Sequence, residues 1–236
     1  MTDQSGRSAT QPPRSVTVLL AALGALTLAL FASETFGTPY RTPLTRVGLA
    51  FGDVSPNGDG VRDRLRIVFR TRRAGRVTVT ATGPDGMRRT IVAGRRARAG
   101  RNEVVWAPAG VPDGVHAIDL AFDDGRRTAR FERLRARLDT RPPVVTAAML
   151  APAPGPDGAL AVSATVDEDA RVTLRTSTAG GGRAAVEALG HARAGAPLAG
   201  AWRPPPGPGP YRVVLVATDA AGNRAVTDLG ERAGAP

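Results

Sequence analysis

From about residue 44 onward, apolar and polar residues alternate with a period of two, in short runs broken by turn residues. In "HAIDLAF", His116, Ile118, Leu120 and Phe122 share one face while Ala117, Asp119 and Ala121 share the other. "RVTVTAT", starting at Arg76, spaces Val77 and Val79 with threonines in the same way. The runs are punctuated by "GPDG", "VPDG", "DDG", "GGG" and "AAGN", all of them turn chemistry. The pattern predicts strands near 47–51, 64–69, 76–82, 87–92, 102–106, 115–122 and 127–132. "FERLRARL", 131–138, admits either a strand or one to two helical turns.

The pattern then repeats. Trp106 falls on Trp202 after 96 positions and His116 on Tyr211 after 95. "RVTVTATGPDG" from Arg76 falls on "RVTLRTSTAGG" from Arg171, again after 95. Three landmarks at one offset identify a tandem duplication. Seven short strands in the roughly 95 residues of the first copy are what an immunoglobulin-type β-sandwich requires. The fold class is therefore all-β: two tandem immunoglobulin-like β-sandwiches, residues 44–138 and 139–236, meeting at "LDTRPPVV", where two prolines stiffen the chain. With no cysteine to bridge the sheets, Trp106 and Trp202 are expected to anchor the two cores. The absence of cysteine also excludes thiol catalysis and cysteine-ligated metals.

Ahead of the repeats, "VTVLLAALGALTLALFA" at 16–32 holds seventeen residues without a charge. As a helix it would span about 26 Å, a little short of the ~30 Å hydrocarbon core. Arg7 and Arg14 precede it and Glu34 follows. The arginine bias predicts a cytoplasmic tail over 1–14, one N-terminal transmembrane helix over 15–33, a linker over 34–43, and everything beyond outside a bacterial cell membrane. The competing reading is a cleaved signal peptide and a secreted protein, but the candidate cleavage sites place Leu30 or Phe31 where small residues are favoured.

All 32 basic residues are arginine, in a chain rich in Ala, Gly and Pro, a composition expected of a GC-rich bacterial genome. Residues 35–139 carry 21 arginines against 11 acids, while residues 140–236 carry 9 against 8. Within the excess, Arg95, Arg96, Arg98 and Arg101 form a candidate contact with anionic lipid headgroups or an anionic cell-wall polymer. The alternative is a solvated sandwich rim. Nucleic acid is not expected, since the domain lies outside and lacks aromatic platforms for bases. A protein partner is expected but not identified by the sequence.

"SPNGDGVRD" is the other candidate site. Asp53, Asn57, Asp59 and Asp63 could bind calcium weakly, but the position of the bidentate carboxylate in a calcium loop of this kind is taken by Arg66. The preferred reading is a pair of tight turns, Asn57-Gly58 and Asp59-Gly60, with aspartates capping local amides. Asp167, Glu168 and Asp169 are expected at a solvated loop tip. Neither His116 nor His191 belongs to a catalytic motif, so no enzyme and no cofactor are expected.

"SPNGDGVRDRLRIVF", "GRVTVTATGPDG" and "RAGRNEVVWAPAGVPDGVHAIDLAF" together resemble the immunoglobulin-like domain first named in the flagellar hook-assembly protein FlgD, over residues 44–134. His116 stands where that domain has an aromatic after "DG", and Ala107 where it has an acid. The second copy resembles bacterial surface immunoglobulin-like repeats, opening with "DTRPPVV" and closing with "ATDAAGN". The resemblance implies a sandwich fold and export, and a binding or structural role in the cell envelope. It does not imply a flagellar role.

Overall fold

In the computed structural model, which describes residues 42–152, 158–178, 182, 185–207 and 209–234, every regular element is a β-strand. The first sandwich contains β1 (Leu44–Leu49), β2 (Asp53–Val54), β3 (Leu65–Thr71), β4 (Gly75–Thr82), β5 (Arg88–Ala97), β6 (Gly100–Trp106), β7 (Gly114–Asp123) and β8 (Thr128–Leu138). The second contains β9 (Val145–Pro152), β10 (Leu160–Val166), β11 (Ala170–Thr178), β12 (Ala185–Ala192), β13 (Pro197–Trp202), β14 (Tyr211–Thr218) and β15 (Arg224–Arg232). "FERLRARL" is thus strand throughout, the final stretch of β8. The expected cytoplasmic tail, transmembrane helix and nearly all of the linker lie outside the described residues. Among those described, no helix is long and apolar enough to cross a membrane.

Strand order fixes the architecture. One sheet of the first sandwich runs β1-β3-β6 and the other β2-β8-β7-β4-β5. The second sandwich repeats this as β9-β10-β13 and β12-β11-β14-β15, without a counterpart of β2. Two sheets in this order, antiparallel except for the short parallel pairing of β2 with β8, with a Greek-key crossing between them, are the immunoglobulin-like arrangement. Register reproduces the duplication: Arg76 pairs with Asp123, and Arg171 with Thr218, each 95 positions on. Leu65 lies opposite Trp106, and Leu160 opposite Trp202.

The period of two places alternate residues between the sheets. Leu65, Ile67 and Phe69 of β3 meet Ile118, Leu120 and Phe122 of β7, all buried. The second core has no phenylalanine; Val162, Leu174, Val213 and Leu215 pack around a buried Trp202. Burying each side chain of this size contributes about 1.5–3 kcal/mol. The two tryptophans accordingly differ. Trp202 fills its core, whereas Trp106 is only half-buried and meets His116 edge-on, with centroids 5.9 Å apart.

Each copy also ties strand β7 or β14 back to the preceding loop. Tyr211 donates its hydroxyl to the Pro206 carbonyl at 3.4 Å, the corner contact that immunoglobulin-like sandwiches make with a tyrosine. In the first copy His116, fully buried, sets Nε2 2.9 Å from the Pro112 carbonyl. A carbonyl only accepts, so the proton sits on Nε2. Histidine therefore replaces the aromatic at this corner by supplying the same donor.

Candidate functional site

The "NGDG" stretch lies at the pole where the first sandwich hands over to the second. Its polar groups are mostly matched within the loop. Asp63 accepts from the Gly58 and Gly60 amides through its two oxygens, each at 2.8 Å. Asp59 Oδ1 accepts from the Val61 amide at 2.7 Å, and Asn57 Oδ1 from the Asp59 amide at 3.0 Å. Gly58 and Gly60 sit at φ of 84° and 85°, where a side chain would be strained. Asp53 is elsewhere, in β2 beside Arg137 of β8. Among the described residues, Asp53, Asp59 and Asp63 do not converge on a common point. The acidic groups that do converge are Asp139, Glu168 and Asp219.

The loop closes on the second sandwich. Ser55, fully buried, donates its hydroxyl to Asn223 Oδ1, and Asn57 Nδ2 donates to the same oxygen at 3.1 Å. Asn223 Nδ2 in turn donates to the Asp139 carbonyl at 2.8 Å and to Asp219 Oδ2 at 2.7 Å. The carboxamide is 1% exposed, and all four of its hydrogen bonds are made. Arg62 donates to the Ala220 carbonyl while stacking over Phe51 at 5.1 Å. Gly222 lies so near Val61 that a Cβ there would come within 2.8 Å of Val61 Cγ1. The stretch between the sandwiches is fastened at both ends: Thr140 Oγ1 donates to Asp113 Oδ2 at 2.9 Å, and the Val144 amide to Asp167 Oδ1 at 2.7 Å.

Two openings flank this clamp. One, of about 330 Å³, gathers Asp53, Asp139, Asp167, Glu168 and Asp219 around Arg137. Arg137 pairs with Asp139 at 3.0 Å, while burial and then the charges of Asp139, Asp219 and Asp167 raise the Glu168 pKa. Glu168 is therefore half-buried at a domain junction rather than at a solvated tip: the duplicated position is covered by the neighbouring sandwich. The other opening, of about 630 Å³, is lined by Arg62, Arg171, Arg193 and Arg224 with Asp169 and Asp219. His191 also lines it, from strand β12.

The four candidate arginines do not form one patch. Arg96 faces out of the five-stranded sheet in register with Arg76. Arg95 turns to donate to the Glu103 carbonyl. Arg98 and Arg101 flank the β5–β6 turn, and Arg101 lies opposite Arg70. Arg46, Arg70 and Arg72 converge beside that turn on one cavity of about 490 Å³. Sequence spacing found the turn arginines but not those that β1 and β3 bring alongside them. The clamp was equally hidden, because Ser55 and Asn223 are 168 positions apart.

No family model matches the chain, and no curated protein matches it. Solved structures with some likeness include dimeric latent PorU from Porphyromonas gingivalis, at 15% identity and TM-score 0.29 over 81% of this chain. The chain spans about a fifth of that protein, 20% of its length. A two-domain fibronectin type III segment of chicken tenascin matches at 10% identity and TM-score 0.31, over 79% of this chain and 98% of the segment. A tetra-tandem repeat from the extending region of a large adhesion protein matches at 16% identity and TM-score 0.28, over 81% of this chain and 48% of the repeat. The fold assignment rests on strand order and register, which stand independently of these likenesses: the protein is a tandem of two immunoglobulin-like β-sandwiches.

Proposed function

We propose that the chain is a membrane-anchored module of the bacterial cell envelope, with its two sandwiches outside, and that it binds or spaces an envelope component. Residues 15–33 are the anchor in this reading, and the first sandwich is a domain of the FlgD immunoglobulin-like type without a flagellar role. The observation that carries it is the closed junction. Domains joined by a linker move relative to one another by default. Here Ser55, Asn57 and Arg62 of one sandwich grip Asn223 and Ala220 of the other. A spacer or bivalent binder gains from such a grip, because a fixed geometry lowers the ordering entropy lost on binding.

The second reading is a secreted accessory module, released by cleavage near residue 32. Fractionation of the producing cell separates the two. An anchored chain stays in the membrane pellet after alkaline extraction, at its full 24.4 kDa. A mature protein lacking its first 32 or so residues would replace the anchor with the secreted form. A soluble chain of full mass would sink both.

A further inference from the structure

We infer that the open loop pole of the first sandwich is a seat for an anionic lipid surface, held by arginines from three loops and the first strand. This rests on the envelope reading above and commits it to one partner. The pole is built from the β3–β4, β5–β6 and β7–β8 loops, on the opposite side of the sandwich from the clamp. In the second sandwich two of these loops carry Asp167, Glu168, Asp219 and Asn223 and are docked on the first sandwich, while the third keeps an exposed Arg193 in the place of Arg98. In the first sandwich these loops carry Arg72 and Arg73, Arg98, and Arg126, all exposed. Arg46 and Arg70 stand beside them.

The loops are mutually braced, so the charges are presented from a fixed frame. The Arg72 amide donates to the Pro43 carbonyl at 2.9 Å. Thr71 Oγ1 donates to the Arg98 carbonyl at 2.7 Å, and Asn102 Nδ2 donates to the same carbonyl at 2.8 Å. A Cβ on Gly75 would lie 2.3 Å from the Asp123 carbonyl, so the paired ends of β4 and β7 hold the β3–β4 and β7–β8 loops side by side.

Arginines outnumber acids at this pole, although, after the Arg126 and Arg127 amides, the charges of Arg73 and Arg126 help to lower the Asp124 pKa. Arg66 pairs with Glu103, Arg89 with Asp85, Arg137 with Asp139 and Arg212 with Asp228, all away from this pole. The two nearby acids act as turn caps: Asp123 Oδ1 accepts from the Gly125 amide at 2.8 Å, and Asp124 Oδ1 from the Arg126 and Arg127 amides at 2.9 Å. Arginines gathered at one pole repel one another, over a screening length of about 8 Å, and favour a polyanionic counter-surface. Large exposed apolar side chains such as Phe51 and Met87 lie at the other pole, so the contact is electrostatic and salt-sensitive.

Chain connectivity selects lipid among polyanions. Ten residues, 33–42, separate the apolar run from Pro43, which is itself hydrogen-bonded into this pole. Fully extended they reach at most about 35 Å. A bilayer holding 15–33 is therefore within tether range of these arginines. Each arginine near such a surface strengthens association about fivefold.

The test uses the full chain, whose lack of cysteine permits single labels. Fluorophores are placed at Ala99→Cys, in the β5–β6 turn, and at Met87→Cys on the far pole as control. The chain is incorporated into vesicles of phosphatidylcholine alone or with phosphatidylglycerol, each carrying a headgroup quencher. The expected result is quenching at 99 and not at 87, only with phosphatidylglycerol. It should be lost in molar salt and when Arg72, Arg73, Arg98 and Arg126 are all changed to Gln. All four are exposed, so the variant should keep its fold, checked by circular dichroism. Equal quenching in both lipids, or quenching that survives the four substitutions, overturns the seat. Binding of soluble polyphosphate without headgroup quenching overturns it in favour of a polymer. Alkaline extraction of the same vesicles reports on the anchor separately. A chain that is extracted yet still floats with phosphatidylglycerol vesicles in a salt-sensitive way supports the seat and removes the anchor.

Discussion

Within this chain the same three loops occur twice, 95 positions apart; one keeps its "ARAG", at 97–100 and 192–195, and the other two have diverged in opposite directions. "TRRAG" at 71–75 corresponds to "VDEDA" at 166–170, and "DDGRRT" at 123–128 to "TDAAGN" at 218–223. The first set is basic and exposed. The second is acidic and pressed against the neighbouring sandwich. Strand order and register are the same in both, so the topology does not account for the difference. What differs is whether the loops have a surface to meet.

Docking imposes demands that an open loop escapes. The docked copy needs small residues where backbones approach: Ala221 and Gly222 are buried, and Gly222 also holds φ of 96°. It needs every buried polar group matched, because an unmatched one costs about 1–3 kcal/mol. Asn223 meets this by placing its NH₂ toward two acceptors and its oxygen toward two donors. The open copy has Arg126 and Arg127 in the corresponding turn, side chains that would not fit under a neighbouring sandwich.

Replacing Asn223 is the most direct way to break this comparison. Asn223→Ala removes four hydrogen bonds in one step and leaves Ser55 buried without its acceptor. A loss of about 2–4 kcal/mol is expected, read as a lower urea midpoint. Asn223→Asp should be nearly as costly, because one of its oxygens then faces the Asp139 carbonyl and the Asp219 carboxylate. Arg126→Ala in the open copy should change stability by less than about 0.5 kcal/mol. If both loops respond alike, the clamp is not what distinguishes the copies.

A smaller effect is expected from Asp63→Ala. Gly58 and Gly60 would lose their shared acceptor, and the loop that presents Ser55 and Asn57 would loosen, costing about 1–2 kcal/mol. The loss should be the same in millimolar calcium and in chelator, as measured by thermal melts. A calcium-dependent stabilisation of the parent that the variant lacks would make the carboxylate a metal ligand.

The sequence was most legible where the physics is local. Alternation along "HAIDLAF" showed which side chains enter the core, and Ile118, Leu120 and Phe122 are there. The constant offset of 95 exposed the duplication before any strand was paired. Local patterning was silent on volume: nothing near Trp106 reveals that Phe69 and Phe122 already fill its core, leaving the tryptophan half-buried. It was silent also on the clamp. Turn chemistry explains "NGDG" and "AAGN" one at a time, and neither contains a sign that Ser55 and Asn57 will meet Asn223. Glu168 was misjudged for the same reason. In the first copy its position is solvent-exposed, and only the packing of one sandwich on the other buries it.

Glu168 gives the smallest and most selective test. Its pKa is raised above the ordinary 4.5 by burial first, then by the carboxylates of Asp139, Asp219 and Asp167. The native chain thus binds this proton more readily than the unfolded one, and stability falls as pH rises through the window from about 4.5 upward. At neutral pH the charged carboxylate opposes docking. Glu168→Gln should stabilise the protein there by less than about 1 kcal/mol, since a half-exposed group is screened by solvent. The gain should vanish below about pH 4.5, where the parent is neutral too. A variant less stable than the parent at pH 7 would mean that Glu168 is paired, through Arg137 or a bound cation, and the sign would reverse. Arg73 occupies the same position 95 residues earlier. Arg73→Gln should act in the opposite sense, costing a little stability at neutral pH, because the Arg73 charge, after the Arg126 and Arg127 amides, helps to hold the Asp124 pKa below its ordinary value.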